Sequence, residues 1–214
     1  MEARAHVLVP LKRLGEAKSR LAGLLPPAGR AELMQAMLAD VLDAIGAARG
    51  VDAVTIVSSE PAAETLARVH GVGWWDDRGL AWNDALAAAM RELVTEPVVT
   101  IVSADIPLVT ATDVDELVIV TPRAGIAVGR ATDGGTNAVS LRPPGALETC
   151  FGLLGSARLH LERAAALGLE GVLVDRPGLA LDLDTPEDVD RLLAQGRATR
   201  TSSLLSLALP RAVL

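Results

Sequence analysis

Short apolar runs alternate with helix-period stretches along most of this chain, and that alternation constrains the fold more than any other feature. The runs are rich in Val and Ile and too short for typical helices, so we interpret them as strands. The predicted strands are residues 5–9, 53–58, 98–102, 125–129, 137–141 and 171–175. Strand–helix alternation is typical of a mainly parallel sheet with helices on both faces, so the sequence predicts an α/β fold.

Stretches with helical periodicity lie between several of these strands. Residues 30–45 are the clearest, because Leu33, Met37 and Val41 fall on one stripe of the predicted helix. Thr185-Pro-Glu-Asp188 predicts a helix start, with Thr as the N-cap and Pro at the first helical position. Further helix-period segments are residues 62–70, 80–94 and 157–167.

One segment breaks the alternation. Residues 124–141 contain two consecutive strand candidates that flank Asp133-Gly-Gly135. A Gly-containing turn between two such runs is typical of a β-hairpin. We therefore expect this segment to make a hairpin-like excursion over the sheet.

The length of 214 residues favours one domain of ordinary size, which we predict over residues 1–196. Half of the residues are hydrophobic but only 2% are aromatic, so the core must consist of Leu, Val, Ile and Ala. The Ser- and Leu-rich tail, residues 197–214, is interpreted as a docking arm, an oligomer contact such as that of a homodimer, or a partly disordered segment. A leader peptide and a membrane-length apolar run are not evident, so we expect a cytoplasmic protein without a membrane partner.

The charge and the Cys and His content exclude several classes of protein. A net charge of −7 argues against a nucleic-acid partner, although a local cationic cluster can still bind a small anion. The single Cys150 excludes an intramolecular disulfide and a thiolate zinc site. His6, His70 and His160 lack the spacing of metal ligands.

Asp105 and Asp182 are the strongest candidates for chemistry. Asp105 comes just after the apolar run 98–102, and Asp182 opens Asp182-Leu-Asp184 at the end of another apolar stretch. Buried carboxylates are costly unless something pairs with them, and a divalent metal bound to phosphates is a suitable partner. The alternative is that both are turn or cap residues, which are common uses of Asp after a strand.

Three cations follow the first predicted strand within a single loop. They are Lys12, Lys18 and Arg20. Ligands of parallel α/β sheets bind beyond the carboxyl ends of strands, so these cations would suit a triphosphate there. A solvated basic loop explains the same spacing equally well.

Two Gly-containing segments are candidate anion sites. Asp133-Gly-Gly-Thr-Asn-Ala138 can present backbone N–H groups and the Thr136 hydroxyl to a phosphate or carboxylate, or can be a plain hairpin turn. Residues 150–160 place Gly152 and Ser156 before a helix-like stretch. Their backbone amides can bind an anion, or Ser156 can simply cap the helix.

Asn83 lies at the start of a predicted helix. Its amide has both donor and acceptor groups, which suits a nucleobase edge, although Asn in this place is more often a cap. Trp74, Trp75 and Trp82 are close in sequence, and core packing is favoured for them over base stacking.

In this order, the motifs together resemble the guanylyltransferases that make the activated lactyl precursor of the deazaflavin coenzyme. The resemblance runs from Val7 to about Leu192. It rests on Leu-Lys-Arg-x4-Lys-Ser-Arg-Leu, Ala-Asp-Ile-Pro-Leu, Gly-Gly-Thr-Asn, Phe-Gly-x2-Gly-Ser-Ala-Arg and Asp-Leu-Asp-Thr-Pro-Glu-Asp. It implies the nucleotide-diphospho-sugar transferase fold, a Rossmann-like three-layer sandwich. It also implies transfer of GMP from GTP to phosphoenolpyruvate or 2-phospho-L-lactate, with release of pyrophosphate.

The resemblance also implies a role for each matching residue. Mg²⁺ would be held by Asp105 and Asp182. The triphosphate of GTP would face Lys12, Lys18 and Arg20. The guanine would lie near Ser58 and Asn83. The phosphorylated three-carbon acid would be bound by Thr136, Gly152, Gly155 and Ser156. The product would pass to a downstream transferase.

Two stretches depart from the usual family pattern. Leu153 and Leu154 stand where relatives usually carry Pro followed by an acidic residue or Gly. Gly155 stands at the usual Ser position, which leaves open whether Gly155 or Ser156 takes the serine role. In the base motif, two extra residues precede Asn83.

A phosphorylated acceptor is already an anionic nucleophile, so this chemistry needs no general base and fits a chain without an obvious catalytic His. One rival hypothesis is nucleotidyl transfer to another acceptor, such as 3-phosphoglycerate, a sugar phosphate or molybdopterin. A rival of a different class is a non-catalytic nucleotide-binding protein on the same scaffold.

Overall fold

The computed structural model describes residues 4–15 and 17–209, whose strands form one seven-stranded sheet. The strands are β1 (Ala5–Pro10), β2 (Val51–Val57), β3 (Gly73–Trp75), β4 (Val98–Val102), β5 (Gly125–Arg130), β6 (Thr136–Arg142) and β7 (Glu170–Val174). Their order across the sheet is β3-β2-β1-β4-β6-β5-β7. Strand β6 runs antiparallel to β4 and β5, and the other described pairs are parallel. The predicted mainly parallel sheet is therefore confirmed.

Helices cover both faces of the sheet. They are α1 (Pro27–Gly46), α2 (Ala63–His70), α3 (Trp82–Glu92), α4 (Ala111–Val120), α5 (Ser156–Ala166), α6 (Pro177–Ala180), α7 (Pro186–Ala194) and α8 (Arg200–Ala208). Apolar residues of α1, α2, α4, α7 and α8 share one buried cluster with one side of the sheet. Those of α3 and α5 share a second cluster with the other side. The result is the three-layer sandwich that the alternation predicts.

The interpretation of residues 124–141 as an excursion over the sheet is wrong. Strands β5 and β6 do form a hairpin, but β6 is inserted within the sheet between β4 and β5. The physical reason lies in the side chains, since nearly every residue of both strands is buried. A hairpin that is apolar on both sides is covered on both sides only inside the sheet.

Four elements were not assigned from the sequence, namely β3, α4, α6 and α8. Helix α4 begins with a capping box, in which the Thr110 hydroxyl accepts from the Asp113 amide and the Asp113 carboxylate accepts from the Thr110 amide. Strand β3 pairs with β2 at the edge of the sheet. It contains only three residues, which are too few for a strand period to be recognised.

Within the predicted tail, helix α8 packs on α1. At the start of α8, the Asp40 carboxylate accepts hydrogen bonds from the backbone amides of Arg200 and Thr201 and from the Thr201 hydroxyl. Leu205 is fully buried in the adjoining core. Residues 210–214 of the predicted tail lie outside the described residues.

Across residues 4–15 and 17–209, no helix is long and apolar enough to cross a membrane.

Candidate active site

The candidate site lies beyond the carboxyl ends of β1, β2 and β4. The chain places β2 on one side of β1 and β4 on the other, so its direction of travel across the sheet reverses at β1. Ligands of open α/β sheets bind at such a reversal, because the loops leaving the two strands part and open a crevice. The loop after β1 carries Lys12 and Lys18, and the loop after β4 carries Asp105.

A backbone hydrogen bond brings the two acidic segments together. The Leu183 amide donates to the carbonyl of Asp105 at 3.1 Å, which sets the Asp182-Leu-Asp184 segment beside the β4 loop. The side-chain amide of Asn137 donates from Nδ2 to Leu179 O at 2.9 Å and more weakly to the Asp182 carboxylate at 3.4 Å. The aspartates predicted from two distant motifs are thus neighbours in the fold.

Asp182 is held in an unfavourable environment for a charge. Burial, followed by repulsion from the nearby Asp105 carboxylate, raises the pKa of Asp182 to about 6. Two carboxylates that repel each other in a partly buried place are stabilised by a cation bound between or beside them. The arrangement therefore points to a site whose positive charge is completed by a ligand.

Lys18 supplies part of that positive charge. Its Nζ donates to Asp105 Oδ2 at 2.7 Å and to Asp184 Oδ1 at 2.5 Å, with only 5% of the side chain exposed. Burial acts to lower the pKa of Lys18, but Asp105 and Asp184 outweigh it and raise that pKa, so the amine stays charged. The Lys18 backbone has a φ of 55°, a left-handed conformation that costs a non-Gly residue free energy.

Asp184 is a functional candidate that was named from the sequence only as part of the Asp182-Leu-Asp184 segment. Burial acts to raise its pKa, but the Lys18 ammonium outweighs burial and lowers it, so Asp184 stays ionised. Its side chain is 43% exposed and faces a pocket of about 200 Å³. The available signal was its spacing, because Asp182 and Asp184 are alternate residues of one extended segment.

The three predicted cations line this same pocket. Lys12, Lys18 and Arg20 surround it together with Asp105 and Asp184. Lys12 Nζ also lies 4.3 Å from the centroid of the Trp82 ring, a cation–π contact. The structure thus joins the basic loop to Asp105 and Asp184, whereas Asp182 is not among the lining residues. We call this set of lining residues the charged pocket.

Carboxylate oxygens are the ligands that Mg²⁺ prefers, and Asp105, Asp182 and Asp184 provide them. Within the described part of the chain, no three His, Cys, Asp or Glu side chains converge closely enough to hold a metal by themselves. The donor set therefore fits a hard divalent cation whose remaining ligands come from phosphate oxygens or water, and does not fit a closed structural metal site.

A second pocket of about 360 Å³ adjoins the charged pocket. The two share Pro10, Lys12 and Trp82 as lining residues. Ser58 lies in the wall of the second pocket, as do Asp77 and Ser59. The Ser58 hydroxyl is already engaged, since it donates to Leu11 O at 2.6 Å. Trp82 packs between the pockets, and its buried indole N–H has no partner among the described residues.

Asn83 does not line either pocket. Its amide oxygen accepts from the Thr149 hydroxyl at 2.9 Å and from the Phe151 amide at 3.0 Å, and its amide nitrogen donates to Phe151 O at 3.1 Å. The side chain therefore ties α3 to the segment 149–151. This is a different contact from the nucleobase edge suggested by the sequence.

The remaining predicted residues meet around a buried cluster. The Ser156 hydroxyl donates to Thr136 Oγ1 at 2.9 Å, and Thr136 Oγ1 and the Ser156 carbonyl both lie within hydrogen-bond distance of His160 Nδ1. Gly152 and Gly155 lie in the turn before α5, with φ values of 78° and 65° that favour Gly. His160 was missed by the sequence reasoning, although it lies one helical turn after Ser156 in the same motif.

A third hollow on the described surface lies away from these two pockets. It has a volume of about 980 Å³, lies between α1 and α8, and shares no lining residue with the other two pockets. Asp43, on its rim, pairs with Arg200. This ion pair joins α1 to the start of α8.

Comparison with known proteins agrees with this geometry. A family model described as "Guanylyl transferase CofC like" matches residues 5–209. A phosphoenolpyruvate guanylyltransferase of Sphaerobacter thermophilus is 41% identical over 86% of this chain and 90% of its own. One of the same name from Rubrobacter xylanophilus is 40% identical over 88% of this chain and 93% of its own.

Relatives with other named acceptors also match. A 2-phospho-L-lactate guanylyltransferase of Methanothermobacter thermautotrophicus is 34% identical over 92% of this chain and 88% of its own. A 3-phospho-D-glycerate guanylyltransferase of Phenylobacterium zucineum is 36% identical over 89% of this chain and 90% of its own. Relatives with three different named acceptors thus match most of the chain.

Among solved structures, a candidate nucleotide-diphospho-sugar transferase from Desulfovibrio desulfuricans G20 superposes with a TM-score of 0.80 at 19% identity. The match covers 96% of this chain and 95% of that one. At this identity the likeness shows the fold alone, and it confirms the expected fold type.

Proposed function

Because the chain belongs to the CofC-like guanylyl transferase family, we propose that it transfers GMP from GTP to phosphoenolpyruvate and releases pyrophosphate. The observation that carries the proposal is the charged pocket, where three cations and two carboxylates from distant motifs meet at the reversal point of the sheet. The names of the relatives at 41% and 40% identity favour phosphoenolpyruvate as the acceptor. The product would be an activated precursor in deazaflavin coenzyme biosynthesis, passed to a downstream transferase.

We assign the triphosphate of GTP to the charged pocket. Lys12, Lys18 and Arg20 would neutralise its oxygens, with the guanidinium of Arg20 suited to a two-point contact. Asp105 and Asp182 would hold Mg²⁺, with Asp184 beside them. When bound there, Mg²⁺ would reduce the negative charge on the reacting phosphates.

We assign the guanine to the adjoining pocket of about 360 Å³. Trp82 would lie at the junction between base and phosphates, since it lines both pockets. The Asp77 carboxylate is suited to accept from the N–H groups of a guanine edge. Ser58 shapes the wall. Asn83 supports the site through residues 149–151.

We assign the phosphorylated three-carbon acid to the turn before α5. Thr136 and Ser156 supply hydroxyls, and Gly152 and Gly155 allow the backbone to approach an anion closely. The Gly152 amide donates to no acceptor among the described residues, so it is available to a ligand.

In the proposed reaction, a phosphate oxygen of the acceptor forms a bond to the α-phosphorus of GTP. The bond from that phosphorus to the bridging oxygen breaks, and pyrophosphate leaves with the electron pair. No proton has to be removed from the nucleophile, so the chain has to position two anions and neutralise their charge.

Acceptor competition tests this proposal. The protein would be given GTP, Mg²⁺ and equal concentrations of phosphoenolpyruvate, 2-phospho-L-lactate and 3-phosphoglycerate, and the guanylylated products would be distinguished by mass. We expect the phosphoenolpyruvate adduct to predominate. Predominance of another adduct would correct the acceptor, and absence of any adduct would contradict guanylyl transfer to this class of acid.

A further inference from the structure

Four residues close to the proposed acceptor site form a buried network around one imidazole. His160 is fully buried, Ser156 is 1% exposed and Thr136 is 8% exposed. The Cys150 amide donates to His160 Nε2 at 2.9 Å. On the other side of the ring, His160 Nδ1 lies 2.8 Å from Ser156 O and 3.1 Å from Thr136 Oγ1.

These contacts determine the tautomer of the ring. A backbone N–H can only donate, so the bond from Cys150 requires Nε2 to be an unprotonated acceptor. A carbonyl oxygen can only accept, so the short contact to Ser156 O requires Nδ1 to carry the proton. Burial lowers the pKa of His160 to about 4, which keeps the ring neutral.

The tautomer in turn determines which hydroxyl proton is left over. The His160 Nδ1–H faces Ser156 O and Thr136 Oγ1, and the Ser156 hydroxyl also donates to Thr136 Oγ1. With Ser156 donating, Thr136 Oγ1 receives protons from both neighbours, and because Nδ1 is itself a donor, the ring cannot accept the Thr136 proton. With the opposite tautomer, that proton would be drawn inward to Nδ1.

The same ring also fixes the backbone of the turn before α5. His160 fixes the Cys150 amide, while Asn83 fixes the next amide, that of Phe151. Two consecutive N–H groups are thus engaged within the protein. The next amide, that of Gly152, has no acceptor in the described structure.

We propose that His160 is a positioning residue that directs the Thr136 hydroxyl proton, together with the Gly152 amide, towards an anionic oxygen of the acceptor. This inference rests on the proposed function, because it assumes that the phosphorylated acid binds at this turn. His160 acts through Thr136 and Cys150 and does not touch the substrate. Its role is to make one neutral hydroxyl an obligatory donor.

Two substitutions separate the two sides of the ring. His160→Asn keeps a donor near the Nδ1 position and loses the acceptor for Cys150. His160→Gln places an acceptor near the Nε2 position and loses the Nδ1 donor. We expect His160→Gln to raise the KM for the acceptor by about tenfold or more, as expected for a lost hydrogen bond to a charged ligand, with the KM for GTP within about twofold. We expect His160→Asn to raise it less.

A double-mutant cycle with Thr136→Val distinguishes positioning from general damage to the fold. If His160 acts through the Thr136 hydroxyl, the variant with both His160→Gln and Thr136→Val should have the same acceptor KM as Thr136→Val alone. The half-buried His70, changed to Gln, serves as the control and should leave both KM values unaltered. ¹⁵N NMR of the wild-type ring should show protonated Nδ1 and unprotonated Nε2.

The outcomes separate this inference from the proposed function. If the wild type forms product but His160→Gln raises both KM values equally, or if the effects of the two substitutions add, the positioning role is wrong. A ring protonated at Nε2 would contradict it as well. If the wild type forms no product with any of the three acids, the proposed function itself fails, whatever the tautomer.

Discussion

The charged pocket and the turn around His160 lie in the same proposed site but are built from opposite kinds of chemistry. In the charged pocket, Lys18 is buried between Asp105 and Asp184, and like charges are held close together. Around His160, buried polar groups are neutral and their hydrogen bonds are nearly complete, with one hydroxyl proton left over. In the first region, repulsion between carboxylates is reduced when a cationic ligand binds. In the second region, the hydrogen bonds are already formed without a ligand.

This difference explains which region should tolerate change. Removing one of the crowded carboxylates lowers activity strongly but can stabilise the folded state, because it removes repulsion between like charges. Removing a member of a satisfied buried network leaves a partner unpaired, which costs stability even when chemistry survives. A carboxylate substitution in the first region should therefore lower activity more than stability. A substitution in the second region should lower stability more than activity.

The largest expected effect is that of Asp105→Asn. We expect turnover to fall by at least about a hundredfold, because charge stabilisation at the reacting phosphates usually contributes that much. The exposed Asp190, changed to Asn, is the matched control and should retain full turnover. A folded Asp105→Asn protein with full Mg²⁺-dependent activity would show that the charged pocket is not the reaction site.

Lys18→Met should damage both activity and stability, because it leaves Asp105 and Asp184 without their buried cation. We expect a loss of about 1–3 kcal/mol of unfolding free energy, partly recovered when Mg²⁺ is added. Lys12→Met should cost less stability, since Lys12 contacts the face of Trp82 and has no ion pair among the described residues. Denaturation with and without Mg²⁺ measures both variants. Equal losses that Mg²⁺ does not alter would contradict the account.

Asn83→Ala tests whether this residue reads guanine or supports the acceptor turn. We expect a loss of about 2 kcal/mol of stability from three broken hydrogen bonds, and a larger rise in the KM of the acceptor than in that of GTP. Preference for GTP over ATP should persist in the variant. Loss of that preference with an unchanged acceptor KM would restore the role in base recognition.

The smallest expected effect is a gain. Asp182→Asn should stabilise the metal-free protein by about 1 kcal/mol at pH 8, because it removes a desolvated charge beside Asp105. Since the pKa of Asp182 is raised from its unfolded value to about 6, its ionisation in the wild type destabilises the fold as pH rises through that range. The advantage of the variant should therefore shrink between pH 7 and pH 4. Unfolding measured across that range checks the sign, and a constant difference would contradict it.

The sequence predicted the parts of this molecule that follow from local periodicity. Strands with buried Val and Ile, long amphipathic helices and the Thr185 capping box all have local signals. The insertion of β6 within the sheet has none, because it depends on which neighbour covers each face of the hairpin. Strand β3 was too short to show a period.

The site was predictable in its residues but less so in its contacts. Asp105, Asp182, Lys12, Lys18 and Arg20 were named from motifs, and the fold brings them to one crevice. The Lys18 ion pairs and the tether from Asn83 depend on side-chain directions that no spacing encodes. His160 was overlooked because isolated histidines were judged only as metal ligands, whereas its helical spacing from Ser156 was the informative signal.

The most direct test of guanylyl transfer is pyrophosphate release from GTP and Mg²⁺, measured with and without phosphoenolpyruvate, with the downstream transferase present to consume an unstable product. The account predicts release that requires the acceptor and that largely disappears in Asp105→Asn. Wild-type protein that binds GTP but releases no pyrophosphate with phosphoenolpyruvate, 2-phospho-L-lactate or 3-phosphoglycerate would contradict it.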